Sequence, residues 1–222
     1  SVRIDRGLLD QRVDAGVRGN ADRPSARAVT AASEIDANAI VNTVFITGGT
    51  GYIGLPLIHA LLERGCVVHA LARPGSQAKL PPGALPVVGD VLDASTYAYA
   101  IPAHATLVHL VGTPHPHPAK AAEFRRVDLT SIQTATAAAQ RAGVRHLVYL
   151  SVAHPAPVMQ AYIAARKEGE ALVEASGIPA TILRPWYVLG PGHRWPYLLV
   201  PFYVMANWLP ATREIARRLG LV

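Results

Sequence analysis

The segment Thr47-Gly48-Gly49-Thr50-Gly51-Tyr52-Ile53-Gly54 constrains this chain more than any other. It follows a short apolar run, Thr43-Val-Phe-Ile-Thr47, and opens residues 52–64, whose apolar side chains recur at helical spacing and stop at Gly65. Strand, glycine turn and helix in direct succession build an anion site. Gly48 suits a turn with positive φ. Gly51 removes a Cβ where a pyrophosphate approaches the main chain, and Gly54 lets the helix pack closely on the strand. The helix N-terminus adds unpaired N–H groups and a partial positive charge. Thr50, Tyr52 and Ile53 lie between these glycines and are expected to touch the same ligand. Gly49, Gly51 and Gly54 also fit the dinucleotide spacing, so the glycines alone leave the register of the turn open.

Strand and helix patterns keep alternating after this unit. Strands are expected at residues 66–71, 86–88, 106–111, 146–151 and 180–183. Helices are expected at 93–101, with Asp93 as N-cap, at 119–142, ended by Gly143, and at 158–176, closed by Gly177. Strands that do not alternate internally, separated by amphipathic helices, form a parallel sheet covered on both faces. Right-handed crossovers then give an α/β, doubly wound (Rossmann) fold with its ligand crevice at the carboxyl ends of the strands. The domain is expected over residues 43–194. Residues 195–222 read as the start of a substrate region, short and cut off before its end. Residues 1–42 carry six Arg and six acids with no sustained apolar period, and read as a poorly ordered extension.

The net charge of +6 therefore belongs to residues 43–222, and Arg dominates it. Hydrophobic residues make up 50% of the chain and charged residues 16%, which excludes a disordered composition. No run of 18 apolar residues occurs, so a spanning helix is not expected. A single cysteine excludes a disulfide framework and fits a reducing, cytoplasmic setting. The Arg residues are scattered without an aromatic-interleaved stripe, so nucleic acid is not expected as a partner.

The choice of dinucleotide rests on charge. An NAD site usually places an acid about 20 residues past the glycine loop. Here no acid occurs between Glu63 and Asp90, and Arg73 closes the second strand. A guanidinium there pairs with a 2′-phosphate that a carboxylate would repel. NADP(H) is therefore favoured, with NAD(H) as the alternative. Asp90 and Val91 follow the third strand; Asp90 either accepts from the adenine amino group or caps a turn.

These residues resemble the short-chain dehydrogenase/reductase superfamily. TGGTGYIG after the first strand, Asp90 after the third, a Tyr-containing helix after the fifth and Leu183-Arg184-Pro185 are similar to its extended and atypical branches, over about residues 43–195. Those branches include epimerases, NmrA-like regulators and an accessory subunit of respiratory complex I. The resemblance implies a Tyr that exchanges a proton with a carbonyl or alcohol, a Lys four residues later and a Ser that orients the substrate oxygen. Tyr162 and Ser151 match the first and last. Arg166 stands where the Lys belongs, and its planar fork is not equivalent to an ammonium. Lys167 is rotated about 100° round the helix and is expected to face elsewhere.

Further expectations follow from position. Gly112 lets the cofactor pass close to the backbone, and Pro185 borders it. His115, with His117 in a stiff His-Pro loop, and Trp186 are expected beside a small-molecule substrate; two His alone give no metal site. Asp128 is expected as a helix-surface or packing residue, and single histidines such as His154 and His193 as structural. Trp195 to Leu209 is aromatic and apolar but broken by Pro196 and Pro201. Its preferred reading is the wall of an apolar substrate pocket; a homo-oligomer surface and peripheral membrane contact are the alternatives. Two functions stay open: an NADP-dependent oxidoreductase, and an NADP(H)-binding regulatory or assembly protein without turnover.

Overall fold

The computed structural model describes residues 43–154, 159–186, 188 and 201. The expectations for 1–42, for His193, for 195–209 (Pro201 apart) and for the closing helix lie outside the described residues. Six strands form one sheet: β1 (Thr43–Thr47), β2 (Val67–Ala72), β3 (Leu85–Val88), β4 (Thr106–His109), β5 (His146–Leu150) and β6 (Ala180–Leu183). Their order is β3-β2-β1-β4-β5-β6, with every neighbouring pair parallel. This is the Rossmann order, in which winding reverses between β1 and β4 and leaves a crevice above that point.

β1 shows why the strands do not alternate in sequence. Val44 and Ile46 pack on one face with Ile58, Val68 and Val108. Phe45 enters a second cluster with Tyr97, Leu107, Ile132, Leu147 and Tyr149. Successive side chains point to opposite faces, and both faces are covered, so Val44 to Ile46 leave no position for a polar residue between Thr43 and Thr47. Helix α1 (Gly54–Glu63) supplies Ile58 to the first cluster. Helices α2 (Thr130–Ala142) and α3 (Gln160–Ala175) supply Ile132 and Val173 to the second. Gly143 ends α2 at φ +66°, in the left-handed conformation that only glycine adopts without strain.

Two helices differ from expectation. Residues 93–101 form two 3₁₀ turns, Ala94–Thr96 and Ala98–Ala100. Asp93 does cap the first, accepting from the Ser95 N–H at 3.0 Å. The Thr96 hydroxyl then donates to the Asp93 carbonyl at 2.7 Å, and the Asp90 N–H donates to that hydroxyl at 2.9 Å. These side-chain bonds compete with helix continuation. Residues 119–142 are likewise not one helix. A 3₁₀ turn (Pro118–Lys120), one α-turn (Ala121–Glu123) and a π-helical stretch (Phe124–Leu129) precede α2. The wider π turn buries Phe124, Asp128 and Leu129 together. Its reason is Asp128, which the turn aims at α3.

Candidate functional site

The glycine loop forms the floor of the crevice, and Gly48, Gly51 and Gly54 are its positions where backbone atoms crowd a would-be Cβ. Gly48 has φ +79°, and a Cβ there would lie 2.9 Å from the carbonyl carbon of Leu110 on the neighbouring strand end. A Cβ on Gly54 would collide with the Gly48 carbonyl oxygen and lie 2.6 Å from that of Gly49. At Gly51 it would meet the Gly48 oxygen at 3.2 Å. A Cβ on Gly49 would press on side chains only, Ile58 Cδ1 at 3.1 Å and Ala70 Cβ at 3.3 Å, and Gly49 has no positive φ. The loop is therefore a cradle that side chains would fill, the shape a pyrophosphate needs.

Two cavities open from this cradle and share Gly48, Gly112 and Pro114. One, of about 460 Å³, is bordered by Thr50, Arg73, Asp90, Val91 and also Glu123 and Arg126. Asp90 Oδ1 accepts the Leu92 N–H at 3.0 Å, so the turn-capping reading of Asp90 is realised while the residue also faces the cavity. The other, of about 490 Å³, is bordered by Tyr52, Ile53, His115, Tyr162, Arg166 and Trp186, with Leu110, Leu150 and Val188 among its apolar walls. His115 holds φ +49°, a strained backbone for a non-glycine residue at the cavity edge. Lys120 Nζ pins this loop by donating to the Pro114 carbonyl at 2.8 Å. His117 is spent locally, its Nδ1 accepting the Ala119 N–H. Pro185 borders neither cavity; its carbonyl accepts the Ala153 N–H at 3.0 Å. An extended ligand with two ring systems and a diphosphate between them fits this pair of chambers.

Arg166 stands one helical turn after Tyr162, but its guanidinium is committed elsewhere. Nη1 donates to the Leu150 carbonyl at 2.9 Å, and Nη2 donates to the Val111 carbonyl at 3.2 Å and to Asp128 Oδ1 at 2.7 Å. Its carbon lies 5.2 Å from the Tyr162 ring centre, a cation–π distance. Arg166 is buried. Burial alone would lower its pKa, but Tyr162, Tyr149 and Asp128 around it outweigh that and hold the pKa above its ordinary value. Of the two expectations for Asp128, helix surface or packing contact, the surface one is corrected: the residue is fully buried, and its Oδ2 accepts from both the Thr113 N–H and hydroxyl. The pair explains Gly112 as well. A Cβ there would collide with Arg166 Nη2 and lie 3.3 Å from Asp128 Oδ1, so the glycine first makes room for the guanidinium. Lys167 is exposed, turned away as expected.

Ser151 does not join Tyr162 on the cavity wall. It is buried, borders neither cavity and donates to Glu170 Oε1 at 2.5 Å. Glu170 also receives Arg184 through both oxygens, at 2.9 and 2.6 Å, and lies 3.3 Å from His154 Nε2. Burial raises the Glu170 carboxyl, but the bonds from Arg184, Ser151 and His154 outweigh it and hold the pKa below the usual range. This cluster ties the end of β5 to α3 and to the chain after β6. Glu170 is a buried residue that composition and motif alone do not single out. The signal was present: Tyr162, Arg166 and Glu170 follow one another at four-residue steps, on one face of a helix.

His109 links the floor to this network from below. Ser131 donates its hydroxyl proton to the Asp128 carbonyl, so at 3.2 Å it accepts from His109 Nε2–H. That leaves Nδ1 to accept from the Thr47 hydroxyl at 2.8 Å. Burial, and secondarily the Arg166 charge, push the His109 pKa down to about 3, so the ring is neutral. A histidine whose folded pKa is depressed stabilises fully above its unfolded value near 6.5, and that contribution is lost as pH falls toward 3. Stability is expected to drop by about 2 kcal/mol between pH 7.5 and 5 from this group. Urea unfolding at the two pH values checks it against His109→Gln. An equal drop in that variant would show that another group titrates.

Comparison with known proteins gives concordant results. The family model described as NAD(P)H-binding matches residues 48–194. A ketoreductase from Stigmatella aurantiaca, named for 4-hydroxy-2-methyl-3-oxo-4-farnesyl-3,4-dihydroquinoline-1-oxide, is 29% identical over 168 residues, covering 66% of this chain and 50% of the relative. A ceramide reductase from Caulobacter vibrioides is 29% identical over 176 residues, covering 78% and 55%. The chain thus spans about half the length of these relatives. Among solved structures, the Bordetella bronchiseptica enzyme WbmH in complex with NAD+ superposes with a TM-score of 0.56 at 23% identity, covering 74% of this chain and 61% of that one. A UDP-galactose 4-epimerase gives 0.57 at 20% identity, covering 74% and 62%. At these identities the two structures speak for the fold alone.

Proposed function

The chain belongs to the NAD(P)H-binding family, and from that premise we propose that it is an oxidoreductase that favours NADP(H) and acts on an apolar carbonyl or alcohol. The observation that carries the proposal is the shared cradle. One chamber presents Arg73 and no carboxylate at the end of β2, and the other sets Tyr162 among apolar walls. Gly48, Gly51 and Gly54 hold the diphosphate, and Thr50, Asp90 and Val91 border the adenosine half. Tyr52, Ile53, His115 and Trp186 border the nicotinamide and substrate half. When bound, the nicotinamide supplies or accepts the hydride.

In reduction, the Tyr162 hydroxyl gives its proton to the carbonyl oxygen as that oxygen becomes an alcohol. Arg166 keeps a fixed positive charge beside the Tyr162 ring, 5.2 Å from its centre. It does so as a positioning residue, because its hydrogen bonds go to Asp128 and to the ends of β4 and β5. Leu110, Pro114, Pro116, Leu150 and Val188 keep the chamber poor in polar groups, which suits an apolar substrate. The names of the two relatives, one for a farnesyl-bearing 3-oxo-dihydroquinoline 1-oxide and one for ceramide, agree with that class.

The committed Arg166 also supports a second reading, an NADP(H)-binding regulatory or assembly protein without turnover. A screen of hydrophobic ketones with NADPH separates the two, scored by loss of nicotinamide absorbance. Tyr162→Phe is expected to lower turnover by about 10²- to 10⁴-fold while cofactor affinity changes little. Wild-type protein that binds NADPH but oxidises none would favour the second reading. A Tyr162→Phe variant as fast as its parent would remove Tyr162 from the chemistry.

A further inference from the structure

We propose that Arg126 is a second reader of the 2′-phosphate, acting with Arg73 to set the preference for NADP(H); this rests on the cofactor reading above. Both residues border the same 460 Å³ cavity, and they reach it from opposite sides of the point where winding reverses. Arg73 directly follows β2, whereas Arg126 lies in the π-helical stretch that comes after β4. The stretch cannot roll to turn Arg126 away, because Phe124 and Asp128 on either side of it are buried.

Charge bookkeeping shows why one guanidinium is too few. Asp90 and Glu123 border the same cavity. A 2′-phosphate adds a further charge of roughly −1.5 to −2 near pH 7. Arg73 alone would leave two carboxylates and a phosphate against a single cation. Asp90 is partly satisfied by the Leu92 N–H, whereas Glu123 adds its carboxylate to the same cavity wall as Arg126. Arg126 adds a second positive charge to this wall and brings a second planar fork to the phosphate oxygens.

Arg126 is also uncommitted, unlike the arginines near it. Arg125 holds Glu168 through both nitrogens, at 3.0 and 3.3 Å. Arg166 is paired with Asp128, and Arg184 with Glu170. Among the described residues, neither Arg73 nor Arg126 makes an ion pair or a side-chain hydrogen bond, and both are exposed. Two exposed guanidiniums facing one cavity without protein partners are free to close on an anion.

The test is titration of the full chain with NADPH and with NADH, followed by nicotinamide fluorescence, with 2′,5′-ADP and 5′-AMP as competing fragments. Arg126→Ala is expected to weaken NADPH and 2′,5′-ADP by about tenfold and to leave NADH and 5′-AMP within about twofold. Equal weakening of both cofactors would overturn the proposal and place Arg126 on the adenine or ribose instead. No change in either would leave Arg126 as a solvated charge and also overturn it. Failure of the underlying reading looks different. Wild-type protein that binds NADH as tightly as NADPH would refute the NADP(H) preference itself, before any variant is compared. Arg73→Ala that loses the preference while Arg126→Ala keeps it would retain that reading and reject only the role of Arg126.

Discussion

Gly54→Ala is expected to weaken dinucleotide binding by about a hundredfold or more while the protein stays folded. Alanine is the better helix former, so α1 itself gains from the change. The cost lies in the cradle. The new Cβ would collide with the Gly48 carbonyl oxygen and sit 2.6 Å from the Gly49 oxygen and 2.7 Å from its carbonyl carbon. These are backbone atoms, which cannot swing aside as a flexible side chain can. The N-terminus of α1 must therefore move away from the loop, and the phosphate site opens between them. Gly65→Ala is the matched control. Gly65 has φ +75° with nothing near its missing Cβ, so alanine there costs about 1 kcal/mol of stability and leaves binding intact. NADPH titration alongside thermal melting reads both variants. Unchanged affinity in Gly54→Ala would show that this helix end is not a wall of the ligand site.

Asp128→Ala is expected to destabilise the fold by about 3–5 kcal/mol, a large part of the stability of a domain this size. It strands the Arg166 charge, which is buried against Tyr149 and Tyr162, with only the Val111 and Leu150 carbonyls as partners. It also leaves the Thr113 N–H without its acceptor. Asp128→Asn keeps oxygen and shape but removes the counter-charge, so its loss should be smaller. Asp128→Leu combined with Arg166→Met removes both charges and should recover much of the stability lost by Asp128→Ala, because no uncompensated charge remains. Urea unfolding of the four proteins measures this. A double variant as unstable as Asp128→Ala would mean that packing, not the stranded charge, sets the cost. The same series reports on function: if Arg166 acts by position, the double variant loses turnover even where it regains stability.

Much of the fold was legible because its signals are local. The glycine loop carries strand, turn and helix within one short segment, and β1 and β6 fall where the apolar runs put them. The capping role of Asp93 and the left-handed stop at Gly143 are likewise written in neighbouring residues. The break in the helix over 119–142 is not legible locally, for a physical reason. Local periodicity treats every turn alike, but a π turn is stabilised by what lies across from it, here Arg166 on a helix almost forty residues later. Asp128 sits on the stripe of Phe124, Ile132 and Ala135, and a lone acid on an apolar stripe is the trace that marked it.

The sequence by itself determined the parallel sheet, the glycine cradle and the edge of the sheet at which the crevice opens. Each follows from spacing, chirality and the absence of a Cβ at fixed positions. Only the tertiary structure decided which charges meet. It gave Arg166 to Asp128 and two main-chain carbonyls, turned Ser151 to Glu170, and left Arg73 and Arg126 open to one cavity. A buried charge needs its partner within a few ångströms, and that partner is chosen by packing between elements distant in the chain. Periodicity along the chain carries no record of that choice.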